Sequence, residues 1–421
     1  MNAGCLRVIL IRRYWMRRRG YILLLGTVAI TAAVNVLAWE SAEFCDFYVS
    51  NIFPLWVESY ARLTGIFPFS VGEVMIVMGL AVTAVAVLLG IIAVIFLLGF
   101  KKTLACPKIL KFCRKYYTGY AWIVTGVFVL LTLNCFIPYH SSTLEEKYGL
   151  LQKTSADDPI VKELLKKEYT FEELAQLRDY IVIKTNELAK QVERDENGDI
   201  IYPENINELA ADAMYTLAES CPQLEGYYPK PKVIHFSEFL SQQHMKGYFF
   251  PFSMEANYNG MMHSINVPAT ICHEYAHLKG FMYEEEANMI GFLACVNSPD
   301  VTFQYSGYLS ILNYVNNQFY HAIGKNKEIY AAHVKISPQV KEENVFLVKE
   351  AWDKVEEKAI ISTSVVDKVS DTLSETSMVL NGVSDGILSY TRVVGLLLHY
   401  YDGSSEVQEA LAAPEYYVQY K

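Results

Sequence analysis

The chain has 421 residues, 52% of them hydrophobic, and a formal net charge of −10 at pH 7. That composition excludes a disordered or fibrous protein, and it is high in apolar residues for one dissolved wholly in water. The acidic balance argues against a nucleic-acid partner.

The apolar excess is local. Residues 21–39, 74–100 and 119–138 form three long runs with almost no charge, and a helix needs about 20 residues to cross a bilayer core. They are too long and too uniformly apolar for buried helices of a soluble core. Residues 1–20 carry six arginines, and residues 101–117 carry five lysines and one arginine, both without an acid. The 40–70 stretch carries Glu40, Glu43, Asp46 and Glu58 against Arg62 alone. Cytoplasmic loops are the basic ones, so the N-terminus and residues 101–117 are expected inside. The 40–70 loop and everything after about residue 139 are expected outside. Val36-Leu37-Ala38 would serve as a signal-peptide cleavage site, but the first run reads better as a retained anchor. The expected organisation is a membrane anchor at 1–139, a charged linker at 140–170 and an extracytoplasmic domain at 171–421, in a multi-pass plasma-membrane protein.

From residue 140 onward there are 41 acidic and 23 basic residues, a net charge of −18. About 280 residues can bury a substantial core. Apolar positions Phe171, Leu174, Leu177, Ile181, Leu188 and Val192 predict an amphipathic helix over 171–192. A second helix is expected at 206–219, closed by Cys221-Pro222, and a short strand at 233–236. Residues 248–266, with aromatics, Pro251 and Gly260, read as strands and turns. Helices are expected at 305–323, 343–359, 363–380 and 386–401. The fold class is therefore three membrane helices followed by a mainly helical α+β domain with a small sheet. The eight cysteines do not form a disulfide framework, because Cys5, Cys106, Cys113 and Cys135 fall in cytoplasmic or spanning segments. Cys272 and Cys295 read as small buried hydrophobes, with a bridge between them left open.

The chemistry concentrates in Ile271-Cys272-His273-Glu274-Tyr275-Ala276-His277, an H-E-x-x-H sequence. Residues four apart share one face of a helix, so His273 and His277 can close on one zinc ion. Glu274 then projects beside it as a general base for a metal-held water. Pro268 suits the first turn of that helix and Asn266 its cap. Gly280 can end it in a left-handed conformation. A second helical run starts with Glu284-Glu285-Glu286, and Asn297-Ser298-Pro299-Asp300 stops it. A third histidine beyond the glycine is excluded, because Tyr283 occupies that position. The remaining solution is a glutamate of the second helix. Glu284, Glu285 and Glu286 are all candidates, and periodicity does not choose among them, because residues 287–296 are apolar almost all round; Glu285 and Glu286 each head an apolar stripe, and Glu284 reads as part of a solvated first turn that favours acidic residues.

His273 to His277, Glu285-Glu286-Ala287-Asn288, Phe303 to Tyr308, Pro251 to Asn257 and Ser389-Tyr390-Thr391-Arg392 resemble an uncharacterised bacterial membrane family, domain of unknown function 3810. The resemblance covers most of the chain, spans included, and implies a bacterial cell-envelope protein. Glu-Ala-Asn after the histidines also resembles the glutamate-zincins, in which the glutamate before the alanine ligates zinc. Carried over, that residue is Glu286.

A membrane-anchored zinc metallopeptidase is thus expected. Its metal ligands would be His273, His277 and Glu286, its general base Glu274, its cofactor one Zn2+, and its substrate a peptide or protein outside the cytoplasm. The alternatives are a zinc-stabilised scaffold without catalysis and a zinc hydrolase of a non-peptide envelope substrate. The 255–265 segment is expected to pair with an extended substrate. Tyr305, Tyr308, His321, Tyr390 and Arg392 are candidates for stabilising an oxyanion, although a packed, hydrogen-bonded tyrosine is the commoner case. His235, His244 and His263 lack partners at ligand spacing and read as structural. The charge asymmetry makes one prediction: protease added to intact cells or spheroplasts should degrade a C-terminal tag. Full protection of the tag would reverse the orientation.

Overall fold

The computed structural model describes residues 3–99, 106–149, 168–380 and 389–412. Helix α1 runs over Ala3–Glu40. Helix α2 covers Ala42–Asn51 and α3 covers Val71–Gly99. Helix α4, Cys106–Leu131, continues through a π turn at Thr132–Phe136 into a last turn at Ile137–Tyr139. Three stretches are long and apolar enough to cross a membrane: Arg19–Glu40, Val71–Leu98 and Lys108–Tyr139. At most 22% of the apolar window of any of them is buried within the protein. So much exposed leucine, isoleucine and valine is tolerable only where lipid covers it.

The stretch between the first two spans is helical rather than an open loop. Ser41 starts α2 by accepting a hydrogen bond from Phe44 N, and further helical turns follow over Phe53–Thr64. Cys45, Tyr48, Val49, Phe53, Val57 and Ala61 are buried in one core with residues as distant as Val407. Leu144, at the start of the expected linker, is buried in the same core. Residues 150–167 of that linker lie outside the described residues.

After the linker, Thr170 and Glu173 form a reciprocal cap that starts α5 (Phe171–Gln191). Helix α6 covers Ile206–Ala218. Strands β1 (Lys232–Ile234), β2 (Gly247–Phe250) and β3 (Glu255–Asn259) form one sheet in the order β1-β3-β2. Helices α7 (Val267–Leu278), α8 (Glu284–Val296) and α9 (Val301–Ala322) follow. Then come α10 (Lys349–Lys358), α11 (Thr363–Leu380) and α12 (Ser389–Tyr400). Helix α8 is wedged among α6, α7, α9 and α12, which explains why its residues are apolar all round.

The sheet revises one expectation. β3 lies in the segment expected to pair with substrate, yet both its edges are taken. β1 pairs with it in parallel, Lys232 opposite Asn257, and β2 antiparallel, Phe250 opposite Glu255. An extended ligand can add only to an unpaired edge. On the α7 side that edge is β2.

The sheet is fastened to the membrane helices through Glu255, which is 1% exposed. Its carboxylate accepts from Val71 N (3.1 Å) and Gly72 N (2.8 Å) at the start of α3, where the helix dipole favours a negative charge. It also accepts from Ser253 Oγ at 2.6 Å and forms an ion pair with buried Lys232. Lys232 Nζ donates in addition to Thr64 O, and Thr64 Oγ1 donates to Ser253 O. Removing one partner of a buried ion pair strands the other charge and costs about 3–5 kcal/mol. Glu255→Ala should therefore lower the chemical-denaturation midpoint of the purified protein by that much stability. Adding Lys232→Met should recover part of the loss.

Candidate metal centre

Helix α7 places the two histidines. Pro268 lies in its first turn. Asn266 occupies the cap position, but its Nδ2 donates to His263 O and Val345 O. The helix start is instead satisfied from α9, where Ser306 Oγ accepts from Ala269 N at 3.1 Å. The C-terminal end is closed by Gly280 at φ +93°, a conformation that costs a glycine little. Phe281 N then returns to Ala276 O at 3.1 Å.

This turn orients His277. Its Nδ1–H donates to Phe281 O at 2.7 Å, which turns Nε2 toward the cluster as the nitrogen that could bind a metal. His277 Nε2 faces His273 Nε2 at 3.1 Å. Glu284, the first residue of α8, brings Oε2 within 3.3 Å of His273 Nε2 and Oε1 within 3.5 Å of His277 Nε2. Helix α8 can deliver Glu284 there because it crosses α7 at Gly291, where a Cβ would lie 3.1 Å from His273 N and 3.2 Å from Ala269 O.

His273, His277 and Glu284 therefore form a candidate metal-ligand cluster, with their ligand atoms all within 4.8 Å of one another. Donors on a four-coordinate metal with bonds of about 2.0–2.1 Å are separated by roughly 3.3 Å. The observed 3.1, 3.3 and 3.5 Å fit that spacing. The side chain of Glu284 remains 43% exposed although it sits deep among protein atoms. The cluster thus opens to the outside at this residue.

Electrostatics points the same way. Burial opposes the charged form of Glu284, but the His277 and His273 imidazoles outweigh it and hold its carboxyl well below the usual range. Burial likewise works to lower His277, yet Glu284 carries it up to about 9. Attraction that holds a proton so firmly between these groups would also hold a divalent cation, which binds in the proton's place.

Glu274 is 4% exposed and lies beside the cluster without joining it. Burial raises its carboxyl to about 7, against the pull of His273 and His277. Its Oε2 is buried without a hydrogen-bond partner in the protein. β2 packs directly on this carboxylate: a Cβ on Gly247 would overlap Oε1 and come within 2.7 Å of Thr270 Cγ2.

The expected third ligand, Glu286, is elsewhere. One turn fixes the difference: Glu284 sits at the α7–α8 corner, whereas Glu286 points to the other side of α8. There its Oε1 accepts from Leu144 N at 2.6 Å, and burial raises its carboxyl to about 8. Glu285 is engaged by Arg392 Nη1 at 3.1 Å. The signal that could have identified Glu284 is its place directly after the glycine turn; the apolar stripes behind Glu285 and Glu286 report helix packing instead.

The oxyanion candidates also lie elsewhere. Tyr305 donates to Glu343 Oε2, Tyr308 shares a hydrogen bond with Tyr180, and His321 is exposed at the end of α9. The side chain of Tyr390 lies outside the described residues. Tyr248 feels the charge of Glu274, and Tyr139 that of Glu284. Cys272 and Cys295 are fully buried free thiols in contact with each other. His235 and His244 pack on aromatic rings, and His263 Nδ1 accepts from Ile265 N.

A family model described as Protein of unknown function (DUF3810) matches residues 48–398, so the chain belongs to that family. No curated protein and no solved structure matches it. The geometry predicts which carboxylate holds a metal. Metal analysis of the purified full-length protein should find His273→Ala, His277→Ala and Glu284→Ala depleted of metal. Glu286→Ala should retain it, provided that the protein folds. The reverse outcome for the two glutamates would reinstate Glu286.

Proposed function

We propose that this member of the DUF3810 family is a membrane-anchored, zinc-dependent hydrolase of peptide bonds. The reading is carried by one observation: two imidazoles and the Glu284 carboxylate converge at metal-ligand spacing, next to a buried carboxylate that is not part of the set. The donor set suits zinc, since two neutral imidazole nitrogens and one carboxylate are the ligands of open, catalytic zinc sites. When bound, zinc would supply Lewis acidity to a carbonyl and to a water.

The chain's own residues account for the rest. Glu274, whose Oε2 is buried and unpartnered, would accept the proton of the attacking water and return it to the leaving amine. A structural metal site gains nothing from a base in that position, which favours catalysis over a scaffold. Among the described strands β2 pairs with β3 alone, and its outer edge abuts Glu274 through Gly247 and the Phe249 N–H. Backbone hydrogen bonds along that edge would hold a substrate extended, with little demand on its sequence. This repeating match to a peptide backbone favours a peptide over a non-peptide envelope substrate. The Tyr248 hydroxyl, which feels the Glu274 charge, and the Tyr139 hydroxyl, which feels that of Glu284, are candidates for stabilising charge on the carbonyl oxygen. The region after residue 139 would lie outside the cytoplasm.

Glu274→Gln keeps the size of the side chain and removes the base. It should leave the metal content unchanged and reduce chelator-sensitive peptide cleavage by at least about a hundredfold, the lower end of what a positioned acid–base group contributes. Cleavage at the wild-type rate would falsify the role given to Glu274.

A further inference from the structure

The centre lies at the level where the spanning helices end. Three consecutive spans alternate in direction, so Glu40, Val71 and Tyr139 mark the same side of the membrane. The β2–β3 turn is built onto those ends. Asn134, in the third span, donates its Nδ2 to Pro251 O at 2.8 Å. The Phe250 ring covers Gly72, so closely that a Cβ there would come within 2.6 Å of it. Glu73 accepts from His235 N at 2.8 Å and Phe236 N at 2.9 Å. On the other flank, the Tyr139 ring meets Tyr283, the residue before Glu284, edge-on at 5.8 Å.

The outer edge of β2 therefore bridges membrane and metal centre. Phe250, at one end of β2, touches the first turn of the second span; Gly247, at the other end, touches Glu274. Three residue steps separate them, roughly 10 Å at 3.3–3.4 Å per residue. Tyr248, between them, is 39% exposed and within electrostatic range of both Cys135 of the third span and Glu274. Ile66, Phe67 and Phe69, just before the second span, are 75%, 43% and 50% exposed, as befits residues at the lipid–water boundary.

We infer that the substrate is a polypeptide tethered to the same membrane, bound in extended form along β2 and cut within a few residues of its anchor. At 3.3–3.6 Å per extended residue, about three to five residues separate the lipid boundary from the reacting bond. A soluble peptide reaches the same edge, but without the tether that keeps it there. The inference rests on the peptidase reading for its cleavage arm and on geometry alone for its binding arm.

The test uses the full-length protein in lipid vesicles and peptides with a randomised eight-residue window. The window is joined to a palmitoyl anchor through Gly/Ser spacers of zero, five or 25 residues, or left unanchored. Cleavage is followed with the wild type. Binding is followed in the Glu274→Gln background with Tyr248→p-benzoylphenylalanine as a photo-crosslinker. Effective concentration falls about as the −3/2 power of tether length once the span is reached. The eight-residue window itself covers the three to five residues next to the anchor, so the zero- and five-residue spacers should both exceed the 25-residue spacer, about tenfold, in cleavage and crosslinking, and exceed the free peptide as well. Equal yields at five and 25 residues, or a free peptide that matches the five-residue one, would overturn the inference while leaving the peptidase reading intact. A crosslinking preference for the short spacers without any cleavage would sustain the inference as binding and sink the peptidase reading. Neither cleavage nor crosslinking would overturn both.

Discussion

A carboxylate removed from water needs partners that compensate its charge, and Glu255 finds them at the end of a membrane helix. The free N–H groups of Val71 and Gly72, the Ser253 hydroxyl and the Lys232 ammonium all converge on it. None of these groups could be left alone in the interior without cost. The central strand is therefore fixed over the start of the second span. Register follows from that: Phe250 opposes Glu255, so β2 must run from the span toward α7.

From there the centre assembles by close approach. Gly247 lets β2 come against the Glu274 carboxylate, and Gly291 lets α8 come against the backbone of α7 at His273. A side chain at Gly247 would overlap the carboxylate, and one at Gly291 would press on the α7 backbone at 3.1 Å. The left-handed turn at Gly280 reverses the chain between the two helices and also presents the Phe281 carbonyl that fixes the His277 ring. One short segment thus supplies both the geometry of the ligands and the tautomer of one of them. Such outer partners tune a metal site as much as the ligands do.

The membrane and the region after it share a core. Residues of the connection between spans one and two, and residues just after span three, are buried with those of α5 to α9. A centre held this way does not swing freely above the bilayer. The contacts that fold this region thus also tie it to the ends of the spans.

That His273 and His277 would meet was legible in the sequence because helical periodicity is local: four residues make one face wherever the helix lies. The three spans were legible for a similar reason, since a continuous apolar run suits lipid without reference to any other part of the chain. The small sheet was legible as a short strand at 233–236 and a run of aromatics and turn residues at 248–266, without its pairing. That β3 would be central, and β2 an outer strand, depended on pairing between segments more than 20 residues apart. The third carboxylate was undecidable by periodicity, because α8 is buried on every side and its apolar stripes point at α6, α9 and α12 as well as α7. Only the crossing at Gly291 and the turn at Gly280 bring Glu284 to the histidines and send Glu286 to the Leu144 amide. Local spacing by itself determined which side chains share a helix face; which of three adjacent glutamates meets them was decided by packing between helices, which no single segment encodes.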